Sequence, residues 1–87
     1  DKAEEKAMLL ETVLTELPHT TVVSGSGMAG VGSVNQIQTR KAMNRLYLCG
    51  DGETDVAEYG SLFASRVAVC AGHQAHMVLR LLLGEAE

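Results

Sequence analysis

The sequence predicts an α/β domain in which two helices flank a small mixed sheet. Three observations carry this. Apolar residues recur at helical spacing near both ends of the chain, over residues 2–17 and 63–83. A β-branched run, Thr20-Thr21-Val22-Val23, marks a strand over residues 20–25. Further on, Ile37 and Thr39 alternate with Gln36, Gln38 and Arg40 ahead of the apolar Leu46-Tyr47-Leu48-Cys49, which reads as a hairpin over residues 35–50.

Composition narrows the class. Eighty-seven residues make one small domain, and a hydrophobic share of 46% is that of a globular chain rather than a disordered one. One Phe and two Tyr leave an aliphatic core. A net charge of −4 with no run of Lys or Arg argues against nucleic acid or an anionic membrane as partner. No apolar run approaches the length of a bilayer span, and no signal-peptide pattern opens the chain. Cys49 and Cys70 stand alone without a C-x-x-C pair, so they are expected as buried thiols in a cytoplasmic protein. The chain opens on Asp1, already inside a helix-cap pattern, which suggests a piece of something longer.

In the first helix Ala3, Ala7, Leu10, Leu14 and Leu17 form the apolar stripe, widened by Leu9 and Val13, with Glu4, Glu5, Lys6 and Glu11 on the wet side. Asp1 with Glu4 approximates a capping box, and Pro18 ends the helix by disfavouring α at Leu17. His19 falls in the turn. The hairpin is expected to turn at Ala42-Met43-Asn44; a short helix after Val31 is the competing reading, disfavoured by Gly32, Ser33, Asn35 and Thr39. Gly50-Asp51-Gly52 closes the second hairpin strand, and the acidic stretch Gly52–Gly60, with Glu53, Asp55 and Glu58, reads as loop. The last helix presents Val67, Cys70, Ala71, Gln74, Val78, Leu81 and Leu82 on one face, with Leu79 and Leu83 broadening it and Gly84 as its cap. A helix so apolar on several sides needs a sheet or a second subunit to cover it.

Four glycines punctuate the loop after the first strand. Gly25-Ser26-Gly27-Met28-Ala29-Gly30 satisfies G-x-G-x-x-G, and Asp51 lies where an acidic residue would meet a ribose. A dinucleotide site also needs a helix springing from that loop, and residues 31–43 are poor material for one. The other reading is a bend where backbone passes close to backbone or to an extended peptide. His73 and His76, spaced i, i+3, share a helix face without a third metal ligand nearby in sequence.

Asp1-Lys2-Ala3-Glu4, Val22 to Gly30, Leu46-Tyr47-Leu48-Cys49-Gly50-Asp51, Ser65-Arg66-Val67 and Ala71-Gly72-His73-Gln74-Ala75 occur in this order along the chain. In that order they resemble the ThiF proteins, sulfur-carrier adenylyltransferases related to MoeB and to ubiquitin-activating enzymes. The similarity is nearest to the short, zinc-free ThiF-like branch and covers essentially all of the chain. It implies the C-terminal part of a Rossmann-like ThiF/MoeB fold. It implies a protein that uses ATP and Mg to activate the C-terminal glycine of a ubiquitin-like sulfur-carrier protein, in thiamin biosynthesis or a related route, as a homodimer. The fragment alone is expected to be inactive and to bind no cofactor.

Residue by residue, the resemblance matches Asp1 to an aspartate that helps hold magnesium and the ATP phosphates. It sets Gly25 and Gly27 beside the groove for the carrier's tail. Arg66 matches an arginine before the last helix that faces this groove or a dimer contact; a solvated arginine is the plainer reading. The ATP-binding glycine loop of the family falls in the other half of the protein, which displaces the dinucleotide reading of Gly25–Gly30. Departures are clear: the two C-x-x-C pairs of the larger relatives are missing, and Glu53-Thr54-Asp55-Val56 holds no thiol, so covalent thioester or acyl-persulfide chemistry is not supported. The alternatives are a small dinucleotide-binding module and a non-catalytic dimerisation domain.

Overall fold

The fold is laid around Leu46–Gly50, the most deeply buried stretch of the chain, in which Leu46, Tyr47 and Cys49 are at most 5% exposed. The computed structural model describes residues 2–52 and 62–85. In chain order the elements are helix α1 (Lys2–Glu16), strand β1 (Val22–Gly25), a 3-10 turn (Val34–Gln36), strands β2 (Gln38–Met43) and β3 (Leu46–Gly50), and helix α2 (Ala64–Leu82). The expected α/β arrangement of two helices and a small mixed sheet is therefore present. Asp1 and, beyond Gly52, the acidic loop expected over residues 52–60 lie outside the described residues.

β3 is central, with order β1-β3-β2. β1 runs parallel to it, Val22 beside Leu46 and Gly25 beside Cys49, while β2 runs antiparallel, Gln38 beside Gly50 and Met43 beside Leu46. The hairpin turns at Asn44-Arg45, later than the expected 42–44. An irregularity between Lys41 and Met43 absorbs the extra residue, so β2 runs on to Met43 before the chain reverses. β2 is a polar edge strand, with Arg40 and Lys41 exposed, which blunts pairing with another chain. Lys41 also lies over the ring of Tyr47, its cross-strand partner, at 5.9 Å.

α2 lies across all three strands. Its buried positions are Arg66, Cys70 and Met77, with His73, Gln74, Arg80 and Leu81 half-buried. This corrects the expected face: Ala71, Val78 and Leu82 point outward, and the stripe is rotated so that polar side chains go in with the apolar ones. The rotation has a physical cause in the partners waiting beneath, described below. Ile37, Cys49 and Cys70 form the innermost cluster, flanked by Val23, Met28 and Val69. At its end α2 closes with Gly84 at φ +77°: Gly84 N donates to Leu81 O (3.1 Å) and Glu85 N to Arg80 O (2.8 Å), the paired bonds of a Schellman motif.

α1 is held differently from expectation. None of residues 4–16 is buried: Leu10, Val13 and Leu14 of the expected stripe are half-buried, and Met8, Leu9 and the following Leu17 are more than half exposed. Its anchor is polar. Arg45, in the hairpin turn, donates Nη1 to Leu17 O (2.9 Å) and Thr20 O (2.8 Å), and Nη2 to Leu14 O. A guanidinium at the carbonyl end of a helix satisfies orphan acceptors and opposes the helix dipole.

Candidate functional site

β1 does not stop pairing where its strand geometry ends. Ser26 N donates to Cys49 O (2.8 Å), Asp51 N to Gly27 O (2.9 Å) and Gly52 N to Ser26 O (2.9 Å), so the glycine loop is zipped to the chain leaving β3. Gly50, at φ +147°, makes this approach possible: a Cβ there would sit 1.8 Å from Ser26 O. The loop is a place where backbone crosses backbone, and its carbonyls and the Ser26 amide are spent within the fold. The helix that a dinucleotide fingerprint requires does not follow. Residues 34–36 form one 3-10 turn and residues 38–43 a strand.

Arg66 ties this loop to α2. Its guanidinium donates Nη1 to Ala29 O (3.1 Å) and Nη2 to Asp51 Oδ2 (2.8 Å). Arg66 is 2% and Asp51 6% exposed at the side chain. A buried charge is tolerated only when paired and hydrogen-bonded, and here the fork meets one carboxylate and one carbonyl. The solvated reading of Arg66 is thereby corrected, and Asp51 pairs with it rather than standing open for a ribose. Of the three residues assigned to the tail groove, Gly27 and Arg66 join through Asp51, while the space a Cβ on Gly25 would take is bounded by Met28, Cys70 and Gln74. Beside the ion pair is a cavity of about 270 Å³ whose lining includes Gly30, Val31, Gly32, Phe63, Ser65 and Arg66.

A second constellation lies along α2. Thr39 Oγ1 is 2.9 Å from His73 Nδ1 and 3.5 Å from Cys49 Sγ, and Cys70 Sγ donates to Cys49 O at 3.1 Å. Both cysteines are free thiols with no exposed surface, as expected. Burial, and then the neighbouring Cys49, push the Cys70 thiol above its ordinary 9.0, with Asp51 adding to the rise and Lys6 opposing it. Cys70 is thus a core thiol that stays protonated at neutral pH. Among the described residues no group of three His, Cys, Asp or Glu is arranged to hold a metal ion. His73 is half-buried on Thr39, and His76 is exposed one turn on.

The sequence reading missed the Asp51–Arg66 pair and the Thr39–His73 contact. The signal for the first was present in two parts: an aspartate closing an apolar strand, and an arginine at the start of an apolar helix. The chain matches no family model, no curated protein and no solved structure.

Proposed function

We propose that this chain is the C-terminal part of a ThiF-like adenylyltransferase, whose full-length protein uses Mg-ATP to activate the C-terminal glycine of a ubiquitin-like sulfur carrier. The ordered set of motifs supports this reading. The observation that carries it is that three of them, Gly25–Gly30, Gly50-Asp51 and Ser65-Arg66, form one interlocked unit.

In this reading the described residues supply shape rather than adenylation chemistry. What supports it is that the amides of Ser26, Asp51 and Gly52 are bonded to carbonyls of the fold and the Arg66 fork is occupied by Asp51 and Ala29. Asp1, the residue matched to ATP and magnesium, lies outside the described residues. What Arg66 and Asp51 do is hold the glycine loop rigid beside the 270 Å³ cavity, where a tail without side chains can lie close to backbone.

The test is ATP–pyrophosphate exchange by the full-length protein. Exchange is expected to depend on the carrier and to be lost in Asp1→Ala; unchanged exchange in that variant rejects the role given to Asp1. Val31, 85% exposed at the cavity, offers a second handle. Val31→Glu is expected to raise the KM for the carrier about fivefold, the effect of roughly 1 kcal/mol of like-charge repulsion against the tail carboxylate in water. The KM for ATP should not change.

A further inference from the structure

We propose that the outward face of α2 pairs, antiparallel, with the same face of a second copy of this chain. Ala64, Ala68, Ala71, Ala75, Val78 and Leu82 are all exposed, and they follow one another at alternating spacings of four and three residues. That is the heptad rhythm of a helix seam, sustained here over the 19 residues of the helix. The buried residues Arg66, Cys70 and Met77 lie on the opposite side, so the seam is a separate face and not an extension of the core. No Asp, Glu, Lys or Arg of α2 is exposed, since Arg66 is buried and Arg80 half-buried. A helix face left to water is ordinarily charged or polar.

Two features favour a second copy as the cover. The first is the taper of the seam, from alanines at its start to Val78 and Leu82 at its end. Laid antiparallel about a twofold axis at the level of residue 73, Ala64 of one copy meets Leu82 of the other, Ala68 meets Val78, and Ala71 meets Ala75. Each layer then sets a small side chain against an equal or larger one, and the spacing between the helices stays even. Parallel pairing would set Leu82 on Leu82 and Ala64 on Ala64, and the helices would splay at one end. Gly72 lies beside this axis, and a Cβ placed on it meets nothing within 4 Å. Glycine weakens a helix, and it stands here where the two backbones would come closest. The second feature is area. The chain exposes 5901 Å², against roughly 4,900 Å² for a self-contained domain of this mass. The excess is similar to the roughly 800 Å² that each partner brings to a standard interface. The pairing is independent of the adenylation reading, which makes no use of this face.

Cysteine cross-linking of the full-length protein tests face and orientation together. Ala68→Cys and Val78→Cys are prepared separately, mixed in equal amounts, left to exchange subunits and then mildly oxidised. Antiparallel pairing brings residue 68 of one copy to residue 78 of the other, within the roughly 7 Å between Cα atoms that a disulfide spans. It holds like positions about 15 Å apart along the axis. A disulfide-linked dimer is therefore expected from the mixture and from neither variant alone, joining two tryptic peptides of residues 67–80 that differ in mass. Cys49 and Cys70 have no exposed surface and should take no part. Ala71→Glu places two carboxylates near the axis and is expected to raise the dimer dissociation constant at least tenfold in sedimentation, with circular dichroism unchanged. Cross-links within either variant alone, a monomer at every concentration, or a dissociation constant untouched by Ala71→Glu overturns the proposal. Unfolding by Ala71→Glu with no change in oligomeric state assigns the face to another segment of the same polypeptide and overturns it equally. The adenylation reading stands or falls separately, on pyrophosphate exchange.

Discussion

At Gly50 a methyl group would collide with the carbonyl oxygen of Ser26, which is itself hydrogen-bonded by Gly52 N. The neighbour is backbone and cannot swing aside. Gly50→Ala is expected to cost about 3 kcal/mol or more, combining the overlap with an unfavourable φ, and chemical denaturation measures it. The buried ion pair behaves differently. Asp51→Asn leaves the Arg66 charge without its carboxylate, at an expected cost of about 3–5 kcal/mol. The double variant Asp51→Leu with Arg66→Met should recover much of that loss, because the desolvated charges leave together. Cys70 sets a pH dependence. Its thiol is raised in the folded protein, so the stability it confers is complete below its ordinary 9.0 and is lost as pH climbs through the higher folded value. Alkaline unfolding should therefore begin later in Cys70→Ser than in the parent, when each is referred to its own neutral-pH stability.

At the scale of elements, α1 carries an apolar stripe of which Leu10, Val13 and Leu14 are half-buried, and its C-terminal carbonyls are held by Arg45 from the hairpin turn. An isolated helix of this length is marginal in water. Arg45→Ala is expected to destabilise by about 1–2 kcal/mol, through loss of charge-assisted bonds to partly solvated carbonyls, and to lower helicity at 222 nm. The sequence reveals α1, the strands and the Gly84 cap because each is written in local propensity and spacing. It does not reveal the Arg45 clamp, since Arg45 and Leu17 lie far apart along the chain. The rotation of α2 was hidden for a related reason. Hydrophobic spacing favours Val67, Ala71 and Val78, but Asp51, Ala29 O and Thr39 reward burying Arg66 and His73, and those partners come from three separate segments. The hairpin turn was misplaced because a bulge leaves no mark that composition alone can show.

The molecule as a whole is thin, 35 × 29 × 16 Å, with one helix on the sheet. Its accessible surface is 5901 Å², against roughly 4,900 Å² for a self-contained domain of this mass. The difference, roughly 1,000 Å², is comparable to one side of a standard protein interface. Exposed Met8 and Leu9 on α1, and Val78, Leu79 and Leu82 on α2, are apolar contributors to that surface. No helix among the described residues is long and apolar enough to cross a membrane. The 87-residue chain is accordingly expected to elute earlier from a sizing column at high concentration than at low. Leu82→Lys should reduce that dependence without changing the circular dichroism.

The sheet topology also predicts an order of assembly. β2 reaches β3 through a two-residue turn, whereas β1 must find the same strand across the whole glycine loop and hairpin, with Val22 coming to rest beside Leu46. Closing the shorter loop costs less entropy, so the hairpin is the natural nucleus and the parallel pairing its late addition. In stopped-flow refolding, Tyr47→Leu should slow the forward limb, while Val23→Ala should chiefly hasten unfolding. A chain in which β1 is expected to dock after the hairpin acquires its candidate site only once that hairpin has formed.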